Sequence, residues 1–420
     1  MEIMDGYKNS ELGAIPDEWN VNPLGVIGEV KMCRRVFNSE TMKNGTIPFY
    51  KIGTFGKEPD AYISEELYCS YRKKFSYPNK GDILISASGT LGRTIVYDGK
   101  PSYFQDSNIV WIGNNEKVVT NKFLYYVLQV VKYESEGSTI QRLYNNIIKN
   151  TKFILPPLPE QQAIAEILSD TDNLIKSLEK QIAKKRLIKQ GTMQKLLLGI
   201  NRLNQFINNK GNKQTEIGSI PIDWEVLSFT DIANLKHGFQ FMEEHFSKTG
   251  VGVIKIGNLN NSAGLDLHQL TFIPEGRLKH FRKFLLEEGD VLMALTGATL
   301  GKVARVNSKR ELVQNYRVGN FIPNSKTTRE YLFHISQSFL IQRTVKYLVN
   351  EAAQPNLGKA DFDKILIPVP SIPEQNAIAK ILSEMDLELE VLEKKLSKFE
   401  SLKQGLMKNL LTGKTRLLKT

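Results

Sequence analysis

Two stretches of the chain place apolar residues in alternating steps of three and four. In the first they fall at Ile164, Leu168, Ile175, Leu178 and Ile182. In the second they fall at Ile378, Leu382, Met385, Leu389, Leu392, Leu396 and Phe399. This spacing is the heptad seam of a coiled coil. Both seams share one register at an offset of 214 residues, and Thr171 interrupts the first where Met385 continues the second. Pro159-Glu160 and Pro373-Glu374 open the two segments. Proline is tolerated in the first turn of a helix, and a carboxylate favours that end of the dipole. No proline follows within either segment, and Gly199 and Gly413 stand where a helix would stop. Some forty residues at 1.5 Å each predict rods of roughly 60 Å. A lone helix with one narrow apolar stripe is poorly stable in water, so each seam predicts a partner. The other copy is the simplest partner; packing of each helix on its own domain is the alternative.

Before each seam the pattern changes to short β-rich runs: GDILISAS, TIVYDG and NIVWIG in one half, GDVLMAL and KILIPVP in the other. Helical spacing returns over residues 121–137 and 329–349. Each region reads as an α+β globule of about 150 residues, an ordinary domain size. The stretch INRLNQFINNKGNKQT, rich in Asn, Lys and Gly, reads as a flexible linker. The expected division is a domain at 1–157, a helix at 158–199, a linker at 200–215, a second domain at 216–371 and a second helix at 372–415.

The division is itself a repeat. ELGAIPDEW opens one unit and EIGSIPIDW the other; GDILISASGTLGR in the first matches GDVLMALTGATLGK in the second. Residues 158–199 align without a gap to 372–413, with half of the positions identical. The interiors, 33–80 and 236–288, hardly match. A repeated frame around unlike interiors suggests one scaffold that presents two different surfaces.

Charge narrows the partner. The chain has 420 residues, 41% hydrophobic and 24% charged, with a formal net charge of +11. Such a basic balance favours a polyanion, nucleic acid first. The candidate contacts are the basic and amide residues scattered among aromatics: Arg34, Arg35, Lys51, Lys73, Lys74, Arg93, Arg142 and Asn145 in the first unit. In the second they are Arg277, Lys279, Arg282, Lys283, Lys302, Arg317, Gln354 and Asn356. Lys and Arg on phosphates supply affinity, whereas Arg, Asn and Gln on base edges supply sequence choice.

Catalytic patterns are missing from the sequence. GATLGK resembles a phosphate-binding loop, but its glycines are too close and a valine follows the lysine. All five histidines lie in the second unit, without metal spacing. There is no GxSxG and no NPPY-like tetrapeptide. Two cysteines, Cys33 and Cys69, supply neither a disulfide framework nor a four-ligand zinc site, and a reducing cytoplasm is the expected setting. No run of eighteen apolar residues exists, so no membrane partner is expected.

PEQQAIAEIL and PEQNAIAKIL, the KQGTM and KQGLM tails, IPDEW and IPIDW, the GDIL and GDVL turns, and AAQPNLGKADFDKILIPVP frame the chain from end to end. In that tandem order it resembles the specificity subunit of type I restriction-modification enzymes. The resemblance implies two target recognition domains, each reading half of a bipartite double-stranded DNA site. It implies two long helices paired antiparallel as a ruler, with the halves related by a pseudo-twofold. It also implies two modification subunits that bind S-adenosylmethionine and methylate adenine, and two restriction subunits that use ATP and magnesium. No cofactor or metal is then expected in this chain, and the setting is a prokaryotic cytoplasm. One departure stands out: GSTIQRLYNNIIKN occupies the place of AAQPNLGKADFDK, so the equivalence of Arg142 and Asn145 to Gln354 and Asn356 is open at this point. A coiled-coil scaffold whose globular units bind protein is the competing class.

Overall fold

A computed structural model describes residues 5–133, 142–207, 211–350 and 356–418. The chain divides into two compact units, Met1–Glu179 with Lys394–Thr420, and Lys180–Glu393. The division runs through the two long helices, Leu158–Leu197 and Ile372–Leu410. Each unit therefore holds one globule, the start of its own long helix and the end of the other.

The globules repeat strand for strand. In unit 1 an antiparallel four-stranded sheet has the order Val30–Met32, Ile109–Ile112, Ile83–Ser86, Thr94–Val96. Unit 2 repeats it as Ala233–His237, Val318–Pro323, Val291–Ala294, Val303–Arg305. A smaller mixed sheet follows in each: Tyr62–Ile63, Ile47–Tyr50 and Tyr103–Phe104, against Thr271–Ile273, Val251–Ile254 and Leu312–Gln314. The strand before each long helix, Lys152–Leu155 or Leu366–Val369, pairs with Asn20–Pro23 or Glu225–Ser228.

The continuous apolar runs after the Gly-Asp turns have a simple cause: both faces of those strands are buried. Ile83 and Ile85 enter one core with Trp19 and Phe123, while Leu84 enters another with Trp111 and Tyr103. Val291 and Met293 likewise face Trp224 and Phe321, and Leu292 and Ala294 face Ile254 and Leu312.

Several boundaries differ from the sequence reading; the helix expected over 121–137 already ends at Val130. The long helices end at Leu197 and Leu410, sooner than 199 and 415. The predicted linker is partly structured, because Asn212–Thr215 forms a hairpin with Gly218–Pro221. That strand is polar and lacks alternation, so its pattern resembles a linker; Gly218, at φ +104°, makes the turn possible. The helix expected over 329–349 is two helices, Arg329–Ser336 and Phe339–Asn350.

Candidate nucleic-acid interface

The repeated motifs converge on one node in each unit. In unit 1, Trp19 of IPDEW donates its indole N–H to Glu160 of LPEQQ at 3.0 Å. Arg416 donates through Nε to the same carboxylate at 2.7 Å and through Nη2 to Glu18 at 3.1 Å. In unit 2, Trp224 bonds Glu374 at 3.1 Å, and Arg202 forks onto Glu374 (2.9 and 2.7 Å) and Asp223 (2.9 and 3.0 Å). The carboxylates hydrogen-bonded to the two guanidiniums raise the pKa of each above the usual value. Each arginine also lies over the tryptophan ring. Glu160 and Glu374 are 2% exposed, so these carboxylates require the pairing.

Next to them, buried Gln161 and Gln375 clamp the loop that caps the following helix. Gln161 accepts from Thr120 N–H and donates to the carbonyls of Val118 and Pro156. Gln375 accepts from Thr328 N–H and donates to Lys326 and Pro370. The Pro-Glu-Gln motif is thus more than a helix start: it joins three parts of the unit. Sequence reading missed Arg202 and Arg416, although both follow a helix-stop glycine by three residues, in GINR and GKTR.

The end of one helix packs under the opening motif of the globule in the same unit. Gly199 (φ +68°) would, with a Cβ, meet Pro221 at 2.5 Å, and Gly413 (φ +72°) would meet Pro16. The C-terminal helix thus returns to the N-terminal globule within unit 1.

The predicted seam residues divide into two groups. Ile164 and Leu168 lie in the unit 1 core beside Leu410 and Leu411. Ile378 and Leu382 lie in the unit 2 core beside Leu196 and Leu197, with Met385 packed against it. The start of each helix therefore packs on its own globule, the arrangement weighed above as the alternative. Further along, Leu178, Ile182 and Leu389 are buried, and Ile175, Leu392, Leu396 and Phe399 partly so. Ion pairs join the two helices within each unit: Asp172–Lys403 at 2.7 Å in unit 1, and Lys185–Glu388 (2.7 Å), Arg186–Glu393 (2.6 Å) and Lys189–Asp386 in unit 2. From Arg186 to Lys189 the partner falls from Glu393 to Asp386, so the pairing is antiparallel.

One position in this layer differs between units. In unit 1 the Tyr126 hydroxyl donates to Asp172 at 2.9 Å, with Lys403 above its ring. The counterpart in unit 2 is His334, which is fully buried, with Nε2 3.0 Å from Ser383 Oγ and Nδ1 3.9 Å from Asp386. Burial, then the charges of Lys189 and Arg305, lower its pKa to about 3.

Most of the candidate DNA contacts fall into three sets. Lys73 and Lys74 end the exposed helix Glu65–Lys74, and Arg34 stacks on Phe75 just beyond it. Arg277, Lys279, Arg282 and Lys283 occupy the equivalent helical turns of unit 2, between Glu275 and Phe284. In a second set the cation is tied to a backbone carbonyl. Arg93 donates to Phe55 O at 3.0 Å, and Lys302, its counterpart, donates to Leu259 O at 3.0 Å. In the third set, Arg35, Lys51 and Arg142 line a recess of about 310 Å³ with Asn38, Gln105, Asp106 and Asn108. Arg35 pairs with Asp106 at 2.9 Å and Lys51 with Asp60 at 2.9 Å. Asn145 begins the helix Asn145–Asn150. Arg317 and Asn356 are exposed in unit 2, and Gln354 lies outside the described residues.

Cys33 is buried, which pushes its thiol up to about 12, and Cys69 is exposed and free. Among the described residues, no group of three or more His, Cys, Asp or Glu is placed to hold a metal, and no helix is long and apolar enough to cross a membrane.

Two similar α+β globules and two long helices make a tandem-repeat architecture. Residues 16–185 and 221–401 match the family described as type I restriction modification DNA specificity domain, and the chain belongs to this family. It is 29% identical to the MjaVIII specificity subunit of Methanocaldococcus jannaschii over 99% of this chain and 98% of that protein. It is 57% identical to a putative specificity subunit of Haemophilus influenzae, over 39% of this chain and 43% of that one, so that likeness spans less than half of the relative. A crystal structure of an S subunit from M. genitalium shares the fold at a TM-score of 0.61, with 17% identity over 98% of each chain. The chain is accordingly a specificity subunit, which recognises DNA, assembles with other subunits and leaves catalysis to them.

Proposed function

We propose that the chain recognises an asymmetric, bipartite target in double-stranded DNA, each unit reading one half. One observation carries this reading: the two globules share a strand order and a buried node, yet their exposed side chains differ at equivalent positions. Two like modules would present two reading surfaces, as a dimeric repressor does on a palindrome. Unlike side chains on them make the two half-sites different. The exposed basic turns at 65–74 and 275–284 suit phosphates.

In this reading two modification subunits supply adenine methylation with S-adenosylmethionine, and two restriction subunits supply ATP- and magnesium-dependent cleavage, in a prokaryotic cytoplasm. Exposed Leu187, Leu387 and Val391 on the long helices favour docked partners. The paired helices set the gap between the half-sites.

Binding to mixed duplexes, alone and with the modification subunit, tests DNA recognition. Binding should weaken steeply with salt; no salt-sensitive binding in either case would overturn it in favour of a protein-binding scaffold. Mapping methylated adenines tests the bipartite form. Inserting one helical turn after both Lys180 and Lys394 should lengthen the gap and leave each half-site unchanged. An unchanged gap would refute the helical ruler.

A further inference from the structure

The backbone frame of the recess in unit 1 recurs in unit 2, and its hydrogen bonds show which residues correspond. Ser88 bridges Arg142, and Leu143 N–H donates to Ala87 O at 2.9 Å. Thr296 bridges Asn356 in the same way, and Leu357 N–H donates to Leu295 O at 2.9 Å. Ala87 N–H donates to Asn108 O at 2.8 Å, and Leu295 N–H donates to Arg317 O at 2.9 Å. Arg142 therefore corresponds to Asn356, and Asn108 to Arg317. The same frame carries an arginine and an asparagine in both units, in exchanged places.

These two side chains discriminate bases in the major groove. A guanidinium fork matches guanine O6 and N7, and a carboxamide matches adenine N6 and N7. Their surroundings leave donors free. Arg142 is exposed and forms no ion pair among the described residues. Asn108 accepts from Ser88 Oγ at 2.8 Å through Oδ1, which leaves its Nδ2 group. Arg317 donates through Nε to Tyr316 OH at 2.7 Å, which leaves both terminal nitrogens for another acceptor. Among the described residues the Thr296 hydroxyl has no partner, and arginine stands where Ser88 engages an asparagine. Asp106 keeps Arg35 beside the same recess.

We propose that this frame is the base-reading site of each unit, with Arg142 the base-contacting arginine of unit 1 and Arg317 that of unit 2. The exchanged order of arginine and asparagine makes the two half-sites differ. This inference rests on the DNA-recognition reading above.

Its test maps methylated adenines in cells that carry the full complex with wild-type, Arg142→Ala, Arg142→Lys or Arg317→Ala subunits. Arg142→Ala should relax one or two base positions in one half-site, with a roughly ten- to hundredfold loss of discrimination. Arg317→Ala should relax the other half-site only. Arg142→Lys keeps the charge without the fork and should also relax its half-site. Unchanged motifs in the alanine variants would overturn the assignment. An even fall in methylation at every site would do so too, because it marks phosphate contacts. Complete loss in all three variants also counts against it, since base reading at one position leaves the remaining contacts in place. No methylated motif in wild type would instead sink DNA recognition itself.

Discussion

The two units solve the same packing problem with unequal chemistry. At the buried node, Arg202 forks onto both Glu374 and Asp223, and its side chain is 8% exposed. Arg416 meets Glu160 through Nε and Glu18 through Nη2, and its side chain is 19% exposed. In the layer under the helices, unit 1 uses a tyrosine that hydrogen-bonds Asp172, and unit 2 uses a buried neutral histidine. A repeated sequence thus fixes where a contact falls, while the local partners decide how strongly it holds.

The largest effect that separates the units should come from the node arginines. Arg202→Ala leaves Glu374 buried without its cation and should cost about 3 to 5 kcal/mol. Arg416→Ala removes a more exposed and less fully bonded cation and should cost roughly 1 to 3 kcal/mol. Urea unfolding, with hydrogen exchange to assign each loss to its unit, measures the difference. Equal losses, or the larger one at Arg416, would break the comparison.

The helix-stop glycines should act alike in both units. Gly199→Ala and Gly413→Ala each force a Cβ into a proline at positive φ, and each should cost about 3 kcal/mol from strain and overpacking. A loss under about 1 kcal/mol at either site would mean that the proline gives way.

Much of this was legible in the sequence because it was written twice. The strands after GDIL and GDVL, the long helices and their stop glycines all follow from periodicity and repetition. The node was not legible, since Trp19, Glu160 and Arg416 lie far apart in the chain and nothing local shows that they meet. The seam was only half legible: spacing identified Ile164 and Ile378 as buried, but burial against a globule and against a helix leave the same pattern. The charge at Arg93 and Lys302 shows the converse, since the sequence cannot tell a cation held by a carbonyl from one free for phosphate.

Acid should separate the units by a smaller amount. The pKa of His334 is lowered to about 3 in the fold, from an ordinary value near 6.5. Between these values the unfolded chain binds a proton that the folded chain refuses, so stability falls as pH drops through this window. At pH 5 the loss should be about 2 kcal/mol, confined to unit 2. His334→Tyr, which copies unit 1, should remove this contribution. Acid-dependent hydrogen exchange that is the same in both units, or unchanged by the substitution, would refute the assignment.

The smallest effect tests what the ion pairs between the long helices do. Lys185–Glu388 is 35% and 46% exposed, so solvent screens it and ordering two long side chains offsets most of its attraction. Lys185→Ala should cost at most about 0.5 kcal/mol, and less in high salt. Lys403–Asp172 is 21% and 18% exposed and shares Asp172 with Tyr126, so Lys403→Ala should cost somewhat more, about 1 kcal/mol. If Lys185→Ala instead proved as costly as a node arginine, the helices would owe their pairing to surface charge. The expected order places the stability in the cores at the helix ends and leaves the exposed charges to fix direction and register.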